Sequence, residues 1–157
     1  GAIFAEQTKL KFTKCFFANN EANGGGAIYA KGAELAATNC TLENNKADHG
    51  GAIYARDTEL VTTRCTLRKN LANFGTAIAI ADESTLKLFD TSFIKNQAPA
   101  NSNWLYTIAA FAGTTLTADS IIENNRFDSN SGSEFQTLFK KIEINSRILE
   151  NMDTSAP

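Results

Sequence analysis

Gly26-Ala27-Ile28-Tyr29-Ala30 is one copy of a unit that returns along the chain. Gly1-Ala2-Ile3-Phe4-Ala5 lies 25 residues before it, Gly51-Ala52-Ile53-Tyr54-Ala55 lies 25 after it, and Thr76-Ala77-Ile78-Ala79-Ile80 a further 25 on. A second signature keeps the same step. Cys15, Cys40 and Cys65 each open a segment that ends in asparagine two residues before an alanine, as in Cys40-Thr41-Leu42-Glu43-Asn44-Asn45-Lys46-Ala47. A fourth segment, Thr91-Ser92-Phe93-Ile94-Lys95-Asn96-Gln97-Ala98, follows the third by 26 residues. Repetition at roughly 20 to 50 residues is the signature of solenoids, propellers and arrays.

Within each repeat the apolar residues alternate. Leu10 and Phe12 flank Lys11, Leu35 and Ala37 flank Ala36, Leu60 and Thr62 flank Val61, and Leu86 and Leu88 flank Lys87. A period of two predicts short, half-buried strands, about three to five residues long, divided by polar or glycine corners. Such a strand buries its apolar side only when each repeat stacks on the next. The expected fold is therefore all-β: a right-handed parallel β-helix of about six coils and three short parallel sheets, with about 25 residues per coil. With strands about 4.8 Å apart, the rod is about 30 Å long. The Gly-Ala-Ile-Tyr strand is apolar on both faces, which leaves open whether Ile28 or Tyr29 points inward.

Residues in register form ladders. Cys15, Cys40 and Cys65 are expected to stack inward as buried, reduced thiols, because three neighbours cannot all pair. Asn20, Asn45, Asn70 and Asn96 form a structural ladder at one corner, where asparagine tolerates left-handed backbone. Gly25-Gly26 and Gly50-Gly51 mark the tight corner before the next strand.

The 157 residues suffice for one domain. A net charge of −2 gives no reason to expect nucleic acid as a partner. No apolar run reaches the roughly 18 residues of a membrane span. Residues 1–98 hold four regular coils, 99–119 an irregular insertion and coil, and 120–157 the C-terminal coils and tail. The chain starts inside a repeat, so it is expected to be a segment of a longer protein, with Gly1–Ala5 abutting another coil. One histidine and no Cys-x-x-Cys spacing give no metal site, and no cofactor is expected. Asn39-Cys40-Thr41 fits the glycosylation acceptor pattern.

Gly-Gly-Ala-Ile-Tyr at Gly25–Tyr29 and Gly50–Tyr54 alternates with Phe/Leu-x-x-Asn at Phe17–Asn20, Leu42–Asn45, Leu67–Asn70 and Phe93–Asn96. This pairing resembles the repeats of the chlamydial polymorphic outer-membrane proteins and related right-handed β-helix surface proteins. It covers about two-thirds of the chain. The resemblance implies a secreted or cell-surface module with adhesive or structural roles. The regular cysteine ladder departs from it.

Glycoside chemistry needs clustered acids, with two carboxylates flanking the scissile bond. The outward row Lys11, Ala36, Val61, Lys87 holds no such pair, and Asp48-His49 near Asp57 and Glu59 is the best alternative. His49 reads there as a solvated turn residue. The reading is a non-enzymatic extracellular or cell-surface structural or adhesive module, part of a filament or surface appendage. Its partners would be other protein surfaces, copies of itself end to end, or glycans, met through Phe16, Tyr29, Tyr54 and Trp104. The alternative is a polysaccharide-binding or polysaccharide-degrading domain with its groove beside Trp104–Phe111.

Overall fold

Alternation of the kind in Lys9-Leu10-Lys11-Phe12-Thr13 puts every second side chain on one face of an extended strand. The computed structural model describes residues 1–102 and 106–111 with their side chains, and the backbone of strands over 115–116, 121–123, 126–128 and 133–137. The first coil carries β1 (Ile3–Glu6), β2 (Lys9–Thr13) and β3 (Phe16–Ala18). The second has β4 (Ile28–Lys31), β5 (Glu34–Thr38), β6 (Thr41–Glu43) and β7 (Lys46–His49). The third has β8 (Ile53–Arg56), β9 (Glu59–Thr63), β10 (Thr66–Arg68) and β11 (Leu71–Phe74). The fourth has β12 (Ile78–Ala81), β13 (Glu83–Phe89) and β14 (Ser92–Ile94). Strands β15 (Tyr106–Ala110), β16 (Thr115–Leu116), β17 (Ile121–Glu123), β18 (Arg126–Asp128) and β19 (Ser133–Thr137) continue the ladders.

Every pairing is parallel between equivalent strands of successive coils, so the molecule is a parallel β-solenoid. The first sheet runs β1-β4-β8-β12-β15-β19. The second runs β2-β5-β9-β13-β16, with β17 also on β13, and the third β3-β6-β10-β14-β18. The expected three sheets gain a fourth, the pair β7-β11. Lys46-Ala47-Asp48-His49 reads as a turn by composition, but the neighbouring coil offers its backbone in register at Leu71, Ala72 and Phe74, and the chain extends to meet it. Among the described residues about four regular coils are complete, against the six expected. The step from Ile78 to its partner Ile108 is 30 residues, so the 99–119 insertion lengthens one coil without breaking the first sheet. The expectations for Trp104 and for residues 138–157 of the C-terminal coils and tail lie outside the described residues.

Inward rows are of one chemistry. Ile28, Ile53, Ile78 and Ile108 stack in the first sheet, Leu35, Leu60 and Leu86 in the second, and Leu42, Leu67 and Phe93 in the third, all within one core cluster. Ile28 is fully buried and Tyr29 only partly, which settles the strand's facing. A leucine or isoleucine removed from water in this way contributes about 1.5–3 kcal/mol.

The coil bends where one residue takes a left-handed conformation. Four corners do this in register: Gln7, Gly32, Asp57 and Asp82; then Lys14, Asn39, Arg64 and Asp90; then Asn19, Asn44, Lys69 and Lys95; and finally Gly25, Gly50 and Gly75. The third set corrects the sequence reading. The left-handed residue is the one before each ladder asparagine, and Asn20, Asn45, Asn70 and Asn96 have ordinary backbone. They are selected for their side-chain bonds. Only the last corner demands glycine: a Cβ on Gly50 would sit 2.1 Å from the Ile53 carbonyl oxygen.

Candidate functional site

The asparagine ladder fills one corner. Asn45 Nδ2 donates to Asn70 Oδ1 at 3.1 Å and to the Phe17 carbonyl at 3.0 Å, while its backbone N–H donates to the same Oδ1. Asn70 repeats the pattern with Asn96 Oδ1 and the Leu42 carbonyl. Each interior amide therefore uses both donors and both lone pairs of its oxygen. The position welds rungs together and leaves nothing for a ligand.

The thiols occupy the next corner. Cys40 and Cys65 are buried and Cys15 is half-buried, and all three are free. Each sulfur donates to the carbonyl two residues back, Thr13, Thr38 or Thr63, at 3.4–3.5 Å. Thr91 does the same in the fourth coil, to the Phe89 carbonyl. The row thus asks for a small side chain with one donor, which thiol and hydroxyl both supply. Burial pushes the Cys65 thiol pKa above its usual value. Asn39 is exposed at this corner with φ 53°, its Oδ1 accepting from Arg64 Nε at 3.2 Å.

On the outer faces, ion pairs join one rung to the next. Lys31–Glu6, Lys46–Glu21, Arg56–Asp82 and Arg68–Glu43 are examples, at 3.0, 2.8, 2.9 and 2.7 Å. Hydrogen bonds from Arg68 hold the Glu43 carboxyl below the usual range, and Glu21 is lowered in the same way by Lys46.

The second sheet corrects the expectation that paired outward acids are lacking. Glu34 and Glu59 face each other directly across β5 and β9. Lys9 bonds Glu34 at 2.7 Å and Lys87 bonds Glu59 at 2.6 Å. Lys9, Glu34 and Glu59 border a shallow hollow of about 320 Å³ that also touches Lys11, Ala36 and Val61. The sequence reading followed the row through Lys11 and missed the row two residues earlier; reading Lys9, Glu34 and Glu59 at the same 25-residue step would have found it. Asp48 and Asp57 do not join this pair. They lie beyond opposite ends of β8, and Asp48 accepts from Asn73 Nδ2 at 3.3 Å.

His49 is no solvated turn residue. It is partly buried in β7, with Nδ1 enclosed and without a hydrogen-bond partner. Its ring packs against Phe111, Tyr54 and Phe74, with centroids at 4.9, 6.0 and 6.3 Å. Phe111 returns from the insertion to close this second apolar cluster, which the linear spacing of 62 residues hides. The cluster raises the Tyr54 phenol pKa by burial.

The proposed contact residues do not form one surface. Tyr29 and Tyr54 lie on the outer face of the first sheet, in line with Phe4, whereas Phe16 lies on the third. Phe4 and Tyr29 stack at 5.2 Å with planes 4° apart, and Tyr54 meets Tyr29 edge-on. Their ring faces serve each other along the axis. Among the described residues Phe4 and Phe16 are the exposed large apolar side chains, at 69% and 63%.

A family model described as "Right handed beta helix region" matches residues 1–116, nearly three-quarters of the chain. The chain belongs to the right-handed β-helix family. No curated protein and no solved structure matches it. Family membership agrees with the parallel solenoid described above. Among the described residues no group of three or more histidine, cysteine or acidic side chains is placed to hold a metal ion, and no helix is long and apolar enough to cross a membrane.

Proposed function

We propose that this β-helix is a non-enzymatic structural module, a stiff spacer working outside the cell or on its surface. The observation that carries this reading is the direction of its side-chain chemistry. Amides, aromatic rings and ion pairs bond along the axis, from one coil to the next, and the Cys65 thiol reaches the Ala37 carbonyl of the preceding coil. Chemistry committed to rung-to-rung cohesion builds a rod, whereas a catalytic groove needs groups held toward a substrate. The repeat's likeness to chlamydial surface proteins and the exposed acceptor Asn39 support an extracellular setting. Phe4 and Phe16 supply apolar contacts for a protein neighbour.

One observation favours the alternative of polysaccharide binding or cleavage: the in-register acids Glu34 and Glu59 with Lys9 and Lys87. Both acids are neutralised by the lysines, which suits cohesion better than proton transfer. Reducing-end and unsaturated-product assays on pectin, alginate and hyaluronan decide between the readings. No turnover is expected. Turnover that disappears in Glu34→Gln or Glu59→Gln would replace the structural reading with the enzymatic one.

A further inference from the structure

We infer that Cys15 and Cys40 form a thiol pair that a small-molecule disulfide oxidises to an inter-coil bridge, with Cys65 left reduced. The two residues are equivalent positions of adjacent coils, and the Thr41 N–H donates to the Cys15 carbonyl at 2.9 Å. Parallel strands stand about 4.8 Å apart, inside the Cα separation of about 4.4–6.8 Å that a disulfide accepts. The sulfur of Cys40 already leans toward the first coil, since the Cys15 backbone N–H donates to it at 3.4 Å. Cys65 leans the same way, its sulfur 3.3 Å from the Ala37 carbonyl oxygen. Exposure then separates the three. Cys15 is reachable from solvent, Cys40 lies directly beneath it, and Cys65 is a further rung inside.

The exchange balances. The Cys15 thiolate attacks one sulfur of the oxidant, whose S–S bond breaks and releases one thiolate. Cys40 then attacks the Cys15 sulfur of that mixed disulfide and expels the second thiolate. The two protein thiols lose two electrons, the oxidant becomes two thiols, and the two protons pass to the leaving thiolates. Cys65 is a rung further from solvent than Cys40, and burial raises its thiol pKa above the usual value.

The test uses the whole chain and oxidised glutathione, followed by alkylation, trypsin and non-reducing mass spectrometry. Cleavage places the cysteines in separate peptides, 15–31, 32–46 and 65–68. The expected product links the first two and leaves Cys65 alkylated. Closing the loop should raise the melting midpoint by about 5 °C or more. Cys15→Ser should stay reduced at both remaining thiols, and Cys40→Ser should trap a glutathione adduct on Cys15. Three free thiols after oxidation, a Cys40–Cys65 link, or an adduct on Cys15 that Cys40 never resolves would each overturn the inference.

Discussion

At the scale of single residues, buried polar groups decide more than apolar ones, because each is matched by a named partner. Asn70→Ala strands the Asn45 backbone N–H and removes an acceptor from the Asn45 amide, both in a fully buried corner. An unsatisfied buried donor costs about 1–3 kcal/mol, so a loss of about 3 kcal/mol is expected in urea unfolding. The glycines separate in the same experiment. Gly50→Ala drives a Cβ into the Ile53 carbonyl, whereas at Gly32, also left-handed, the nearest atom is Gln7 Cγ at 3.6 Å. Gly32→Ala should cost about 1–2 kcal/mol for backbone strain alone, and Gly50→Ala clearly more. Equal midpoints for the two variants would contradict the corner geometry. Cys65→Thr should be mild, since Thr91 makes the same bond one coil on. Cys65→Asp should be severe, because it buries a carboxylate in the apolar core cluster.

Single elements owe their stability to the rung above and below. Glu43 in β6 shows this electrostatically, pinned between Arg68 at 2.7 Å and Lys69 at 3.5 Å. Its folded pKa is lowered, chiefly by the Arg68 hydrogen bond. Its contribution is therefore present above the unfolded glutamate value of about 4.3 and fades as pH falls below that. Glu43→Gln should weaken the protein at pH 7 and flatten the loss of stability between about pH 5 and 3. Parallel pH–stability curves for the two proteins would refute this role. The edge pair β7-β11 depends on the aromatic cluster outside the main core. Phe111→Ala removes ring contacts to Phe74, Tyr54 and His49. A cost of about 2 kcal/mol, below the 3–5 kcal/mol or so of a fully buried phenylalanine, is expected, together with faster hydrogen exchange at residues 46–49 and 71–74.

For the whole molecule, stability is close to a sum over coils and the interfaces between them. Ladders make those interfaces interdependent, so Asn45→Ala and Asn70→Ala together should cost less than the sum of the two single losses. Strict additivity in a double-mutant cycle would break the ladder account. The outer ion pairs contribute little by comparison, as exposed pairs are worth about 0–1 kcal/mol each and are screened by salt. A β-helix of this kind needs no single strong interface, only the same modest one repeated.

The 25-residue step and the period-two alternation were enough to determine the parallel β-helix, the inward leucine rows, and the cysteine and asparagine ladders. These are legible because each coil places the same residue type at the same point, and sequence distance then maps directly onto axial distance. Facing of the Ile-Tyr strand was not legible, since both side chains are apolar and only burial separates Ile28 from Tyr29. The left-handed residue before each ladder asparagine was hidden too, because the sequence places two asparagines together at Asn19-Asn20 and Asn44-Asn45. The fourth ladder at β7 and β11 keeps the 25-residue step but was hidden by its turn-like composition, and the closure of Phe111 over His49 depends on the insertion that lengthens one turn. The Phe111–His49 contact is a product of three-dimensional packing between residues that share no period, and tertiary structure alone decided it.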